Sequence, residues 1–244
     1  MILAWKKRYQ TCLEMLEQLR VEKSELRDAK LSYNGILDPM AEGVVPVLVG
    51  DEENKNRDAF TGSEKEYEVG VLVGVSTDSG DLLGIIKNFS DISVRSDVIV
   101  EAVMTSELEF EQTVPMHSNR KVQGKRLWWW ILNGVHIPEE ERPKNKVKIL
   151  EREFLGEEVM LLDDLMKEIT VMREKFGERF RMQQAGESWK RYFEKSSAEK
   201  YVVVKFRLKV SSGFYVRTFV EAISKIVGVP LLVLTLKRSK VHYI

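Results

Sequence analysis

The sequence predicts an α/β (α+β) protein whose mixed, largely antiparallel sheet is flanked by helices. Three observations carry that reading. Two stretches, opening at Tyr67 and at Val204, alternate apolar and polar residues with the period of two expected of half-buried strands. Two others, 8–28 and 161–180, repeat apolar residues at helical spacing. The strand signals are not regularly separated by helical ones, which argues against an all-parallel, doubly wound sheet.

Composition sets the outer limits. The 244 residues are 43% hydrophobic and 31% charged, an ordinary globular balance with a highly charged surface, long enough for one large domain. No run of about 18 apolar residues occurs, so no transmembrane helix is expected. The start "MILAWKKRYQ" lacks the order of charge, apolar core and cleavage site of a signal peptide. The single cysteine, Cys12, excludes an internal disulfide, and His117, His136 and His242 have no metal-ligand spacing. A cytoplasmic monomer with no metal and no membrane contact is therefore expected. Its 38 basic and 38 acidic residues argue against a sequence-blind polyanion binder. Charge is nevertheless segregated: "NRKVQGKR" (119–126) holds four cations and no anion, and "KRSK" (237–240) holds three. Taken singly, each such run reads as a solvated face.

Along the chain, Leu13, Leu16 and Leu19, beside Cys12 and Met15, predict an amphipathic helix within 8–28. "VVPVLVG" reads as a buried strand or a helix start, and the polar segment 51–65 as a loop. Tyr67, Val69, Val71, Val73 and Val75 share one face of a strand, and "STDSGDLLG" is turn chemistry. A further strand and short helix are expected over 91–111. Polar turns and the basic cluster follow, and Trp128, Trp129 and Trp130 read as a partly buried helix face. Leu162, Leu165, Met166, Ile169, Met172, Phe176 and Phe180 predict a helix, and the region 156–200 reads as a helical insertion. Val204, Phe206, Leu208 and Val210 form a strand ended by "SSG". "TFVEAISKIVG" is a helix closed by Gly228 with Pro230 beyond, and "LLVLTLKRSKV" is a last strand.

One stretch resists a purely structural reading. "GILDPMAEG" (35–43) sets Asp38 between a leucine and a proline in a loop bounded by glycines. The glycines permit positive φ and close approach, while Pro39 biases Asp38 toward an extended conformation. Locally an ordinary turn explains these residues equally well.

Four separated motifs, in order over most of residues 30–241, resemble the TruB-type family of tRNA pseudouridine synthases. "GILDPMAEGVVPVLVG" (35–50) is similar to the family's catalytic loop, with Asp38 at the nucleophile position. "KEYEVGVLVGVSTDSGDLLG" (65–84) resembles its Lys-x-Tyr strand and the Thr-Asp segment after it, here "TDSGD" (77–81). "QTVPMHSNRKVQGKRLW" (112–128) resembles the RNA-gripping thumb loop, and "SSGFYVRTFVEAISKIVG" (211–228) the Gly-x-Tyr-x-Arg-Thr motif. In "SYNG" (32–35) Tyr33 stands where the family has histidine, and His117 and Asn119 stand where tyrosine and alanine are usual. Family members commonly carry an RNA-binding PUA domain further on; here a single catalytic domain over 1–244, without a PUA domain, is expected.

The resemblance implies the pseudouridine synthase fold with a central RNA-binding cleft. It also implies isomerisation of one uridine in RNA, in the T-loop of tRNA, with no cofactor. Asp38, Tyr67, Tyr215 and Arg217 are the implied catalytic residues. Tyr33, Asn34, Lys65, His117, Ser118, Arg120, Lys121, Lys125 and Arg126 are the implied RNA-binding residues. The chemistry is coherent. A nucleophilic carboxylate in a dry pocket needs a cation to hold it charged, and the guanidinium of Arg217 can pair with it through two hydrogen bonds. A stacked uridine must be flipped out to reach it, and stacking on Tyr67 recovers part of that cost. Two other classes compete. A catalytically inactive RNA-binding or RNA-folding module needs no carboxylate near phosphates, and a glycosidic hydrolase needs a second acid that no motif supplies.

Overall fold

Residues 1–60, 62–90 and 95–242 are described in a computed structural model of the chain. Its first element is a strand that patterning did not signal, β1 (Ile2–Lys6). The helix within 8–28 is shorter than its periodicity suggested. α1 (Cys12–Glu22) begins after Thr11, whose hydroxyl accepts from the Glu14 amide while the Glu14 carboxylate accepts from the Thr11 amide, a reciprocal cap. Extended backbone at Lys23 ends it. β2 (Leu31–Tyr33) and β3 (Glu42–Val49) bracket the glycine loop, so "VVPVLVG" is strand. The segment 51–65, read as a loop, instead holds α2 (Gly50–Lys55) and a turn of 3-10 helix at Arg57–Phe60. Asp51, Glu52 and Glu53 in the first turn of α2 complement its positive end, a signal hidden by polar composition.

The alternation from Tyr67 to Val75 is two strands rather than one. β4 (Glu64–Val73) stops at Gly74, where φ is +98°, and β5 (Val75–Thr77) leaves to pair with β6 (Ile86–Phe89). α3 (Ser96–Thr105) and β7 (Glu109–Thr113) supply the helix and strand expected over 91–111, of which 91–94 lie outside the described residues. β8 (Lys121–Val122) and β9 (Lys125–Arg126) make a small hairpin. Its two turn residues, Gln123 and Gly124, have φ of 51° and 77°, which matches the twist of the strands. α4 (Leu127–Leu132) carries the tryptophans. β10 (Lys144–Leu161) runs for 18 residues, so the span 156–200 begins as strand. It continues as α5 (Leu162–Phe176) and α6 (Met182–Lys195). β11 (Lys200–Val210), α7 (Val216–Val227) and β12 (Leu231–His242) follow as the sequence predicted, with Gly228 in the left-handed region at φ 70° ending α7.

Among the described residues the main sheet has the order β1-β3-β12-β4-β11-β10-β7, with β2 beside β3. Its pairs are antiparallel except β3 with β12. The result is the mixed, mainly antiparallel sheet that the sequence predicted. The parallel pair is tight: a Cβ at Gly43 would sit 2.2 Å from the Arg238 carbonyl oxygen, so only glycine fits.

Register divides the sheet into faces. Val69, Val71, Phe206, Leu208 and Leu231 meet Ile99, Val103, Phe219, Val220 and Ile223 of α3 and α7, leaving a void of only about 10 Å³. On the opposite face, Leu72, Val203 and Tyr201 share the continuous core with Ile169, Met172 and Trp189 of α5 and α6. The uncovered part of that face is a charged ladder, with Lys209 to Glu64 at 3.4 Å and Lys237 to Glu68 at 3.2 Å. Such exposed pairs contribute at most about 1 kcal/mol each, so the two apolar layers dominate stability. Beyond Ile149 no described strand pairs with the outer edge of β10, and exposed Glu151, Glu153, Glu157 and Glu158 discourage a foreign strand there.

Trp189 shows how far α6 belongs to the core: it is fully buried, and its Nε1 donates to the Leu82 carbonyl at 3.2 Å. Trp189→Ala should therefore lower stability by about 3–5 kcal/mol, read as a fall in the urea midpoint at constant slope. A loss below about 1 kcal/mol would mean that α6 packs loosely on the sheet.

Candidate active site

The loop from Asn34 to Ala41 joins β2 to β3, and two buried cations fix it from neighbouring strands. Arg238 of β12 is 1% exposed; its Nε donates to the Val44 carbonyl at 2.7 Å and its Nη2 to the Gly35 carbonyl at 2.8 Å. Lys6 of β1 is fully buried and donates to the carbonyls of Ala41 and Pro39, the latter at 3.3 Å. Both ends of the loop are thus tied to the sheet, and the Ala41 amide donates to the Asp38 carbonyl at 3.0 Å to close its turn. Asp38 projects from this frame.

Arg217, in the first turn of α7, meets it. Its Nη2 donates to Asp38 Oδ1 at 3.0 Å and its Nε lies 2.8 Å from Oδ2, the side-on, two-point pairing that a planar guanidinium allows. Nη1 donates to the Ser79 carbonyl at 2.8 Å, and Nη2 also reaches the His117 carbonyl at 3.1 Å. Behind it, Asp81 Oδ2 lies 3.6 Å from Nε. Asp81 is buried, and its Oδ1 accepts from the Ser79 hydroxyl at 2.6 Å and the Leu83 amide at 3.0 Å. Burial would lower the pKa of Arg217, but the carboxylates of Asp38 and Asp81 outweigh it and push it up. Burial pushes the Asp81 carboxyl up against the pull of Arg217. An unpaired guanidinium at this depth would be prohibitive, so the carboxylates, Ser79 and His117 act as one unit around it.

A cleft of about 470 Å³ opens over this pair. Asp38, Tyr67, Tyr215 and Arg217 all line it, so the structure brings the four candidate catalytic side chains together. Tyr67 is 7% exposed, held in β4 opposite Leu208 and Arg238. Tyr215 caps the start of α7; burial pushes its phenol up, helped by Asp38 and opposed by Arg120 and Arg217. Tyr33, Asn34, Lys65, His117, Ser118 and Arg120 form the walls. Asn34 spends its side-chain amide on the Phe60 carbonyl, and Lys65 Nζ donates to the Ser63 carbonyl at 2.6 Å. Burial, and then Arg238, lower Lys65 to about 8. Lys121, Lys125 and Arg126 do not line the cleft but stand exposed on the adjacent hairpin. That hairpin is braced on α4: Lys125 lies 5.1 Å from the Trp129 ring centroid, and the Asn119 side-chain oxygen accepts from Arg126 and Trp128, each at 3.0 Å.

Three contributors escaped the sequence reading. Arg238 sat within "KRSK", read as a surface patch, and Lys6 sat in an unremarked "WKKR". Asp81 belonged to "STDSGDLLG", read as turn chemistry within a family-like motif and given no site role. The period of β12 did carry a signal, since Arg238 falls at a position where its neighbours are apolar and inward.

The fold that carries this site has a parallel among solved structures. A chain in the crystal structure of a Cbf5-Nop10-Gar1 complex superposes with a TM-score of 0.55, covering 98% of this chain and 48% of that one at 18% identity, so the fold is shared. The sequence pattern of "TruB family pseudouridylate synthase (N terminal domain)" matches residues 23–167. The chain belongs to the TruB family of pseudouridylate synthases. A Geobacillus thermodenitrificans protein named tRNA pseudouridine synthase B is 31% identical over 205 residues, 82% of this chain and 54% of its own length. A Clostridium kluyveri protein of the same name is 35% identical over 124 residues, 51% of this chain and 42% of its own. The chain thus spans about half the length of the curated relatives it matches.

The depressed Lys65 has a thermodynamic consequence. Its pKa is about 8 folded and, as for free lysine, near 10.4 unfolded, so between those values the unfolded chain holds more protons. Stability should therefore rise with pH across that window, and Lys6, also lowered to about 8 chiefly by burial, adds to the rise. Lys65→Met should reduce the slope of unfolding free energy against pH by about one proton's worth. Urea midpoints measured from pH 7.5 to 10.5 test this, and an unaltered slope would place Lys65 in solvent.

Proposed function

We propose that this chain isomerises a specific uridine to pseudouridine in RNA, with the T-loop of tRNA as its substrate. The observation that carries the reading is the two-point Arg217–Asp38 pair at the floor of the cleft, with Asp38 held outward by anchored loop ends. Its relatives' name, tRNA pseudouridine synthase B, supports tRNA as the RNA.

In this reading the target nucleotide is flipped out at a cost of a few kcal/mol, and its base stacks on Tyr67, which returns about 1–3 kcal/mol. Asp38, paired at two points with Arg217, is the nucleophile. The N1–C1′ bond breaks, the uracil rotates, and C5 bonds to C1′; the proton leaves C5 and N1 gains one, so the product is an isomer. Tyr215, kept protonated by burial, takes part in that proton transfer. Arg120, Lys121, Lys125 and Arg126 hold phosphates, which position the RNA without reading its sequence.

Asp38→Asn should abolish turnover while leaving folding and RNA affinity nearly unchanged, because the amide keeps the shape and loses the nucleophile. The check is pseudouridine mapping on unmodified tRNA transcripts beside a filter-binding measurement; appreciable isomerisation by the variant would remove Asp38 from its role. Replacing both Lys121 and Arg126 with alanine should weaken binding and reduce the salt slope by roughly one per lost phosphate contact. A slope equal to that of the unaltered protein would leave these cations facing solvent.

A further inference from the structure

The turn between α5 and α6 departs from what its residues favour. Phe180 and Arg181 are consecutive non-glycine residues in the left-handed region, with φ of 57° and 58°. Such a pair persists only where its surroundings hold it. The Phe180 ring packs edge-on against Phe176, with centroids 5.1 Å apart, and so fixes the first residue. The second is fixed by what its guanidinium reaches. Arg181 Nη2 lies 2.8 Å from Asp78 Oδ2 and 3.2 Å from His117 Nε2. Guanidinium only donates, so in this arrangement His117 accepts at Nε2 and carries its proton on Nδ1. His117 Nε2 is farther from Asp78 Oδ2, at 3.8 Å, so Arg181 is the nearer partner of both.

These two partners matter because of their backbone. The His117 carbonyl accepts from Arg217 at 3.1 Å, and Ser79, next to Asp78, offers the other carbonyl at 2.8 Å. Asp78 is itself fixed through Oδ1, which accepts from the Ile85 amide at 2.8 Å. Burial raises its carboxyl, while the Arg181 guanidinium and that amide pull it down. Arg181 therefore grips the side chains on either side of the carbonyl cradle that surrounds Arg217. It touches neither Asp38 nor the space above it.

We propose that Arg181 is a positioning residue that locks the base of the segment 117–120 against the "TDSGD" turn, so that the helical pair α5–α6 controls the seating of Arg217. The inference rests on the function proposed above for its consequence in catalysis, but not for the lock itself. Two amides report the lock directly: Leu127 donates to the Arg120 carbonyl at 2.8 Å and Trp128 to the Ser118 carbonyl at 3.2 Å.

The test uses the full chain and three variants, Arg181→Met, Arg181→Lys and His117→Phe. Hydrogen exchange of the Leu127 and Trp128 amides, measured without RNA, should speed up roughly tenfold in Arg181→Met, with the amides of β4 and β11 unaltered. Arg181→Lys, which keeps a charge and loses the fork, should fall between. On tRNA transcripts at saturating concentration, the single-turnover rate of Arg181→Met should fall roughly tenfold with RNA affinity within about threefold. The double variant Arg181→Met with His117→Phe should be no slower than the slower single one, because both break the same contact. Unchanged exchange at Leu127 and Trp128 in the methionine and lysine variants would overturn the lock, as would losses that multiply in the double variant. If the unaltered protein shows no isomerisation, the proposed function fails while exchange still decides the lock.

Discussion

Everything at the cleft depends on keeping one guanidinium charged at 5% exposure. Arg217 cannot shed its proton, so the fold must surround it with acceptors, and it does so from three separate places in the chain. Asp38 comes from the β2–β3 loop, Ser79 and Asp81 from the turn after β5, His117 from the loop after β7, and Arg217 itself opens α7. Removing any acceptor leaves the others with an under-satisfied buried charge, which ties the four segments into one cooperative unit. The same constraint explains why a second aspartate lies behind the first. Asp81 shares the charge without reaching the cleft, so Asp38 faces outward with its pairing already complete.

A second layer of cations stands behind the loop. Lys6 and Arg238 are buried among carbonyl groups rather than carboxylates, and they hold backbone rather than charge. Arg238 and Lys65 line the cleft itself, a local concentration of cations that the whole-chain balance of 38 against 38 conceals. A neutral protein can therefore draw phosphates to one place while its far face, laced with glutamate–lysine pairs, stays neutral.

Much of this was legible in the sequence, and the gaps have physical causes. β4, β11 and α7 were plain because apolar residues recur at strand or helix spacing along them, as at Tyr67, Val69 and Val71 or at Val204, Phe206 and Leu208. The Asp38–Arg217 pairing, 179 residues apart, followed from motif resemblance and charge logic, since no local pattern encodes so distant a contact. β1 was invisible because an edge strand of five residues alternates too briefly to show. α2 was invisible because it buries nothing, so no amphipathic spacing marked it and its acidic first turn read as ordinary loop composition. Lys6 and Arg238 were missed for a related reason: a buried cation looks like a surface one until the carbonyls that receive it are known. Within 156–200 helical spacing was read correctly for α5, but the outgoing strand β10 runs into that span because its Gly156 bulge breaks the alternation.

The position of β12 has a consequence for how the molecule is made. It lies between β3 and β4, yet in chain order it follows every other strand of the sheet. Until it arrives, the sheet exists as two unjoined halves, each with an open apolar edge, one of them the "VVPVLV" run of β3. During synthesis those edges, ending at Val49 and Val73, wait for the chain to reach Leu231, a long exposure for strands prone to pair with whatever is near. The insertion of β12 also delivers Arg238 to the glycine loop and closes the floor of the cleft. Completion of the sheet and assembly of the site are thus a single late event, and a nascent chain halted before Leu231 has neither.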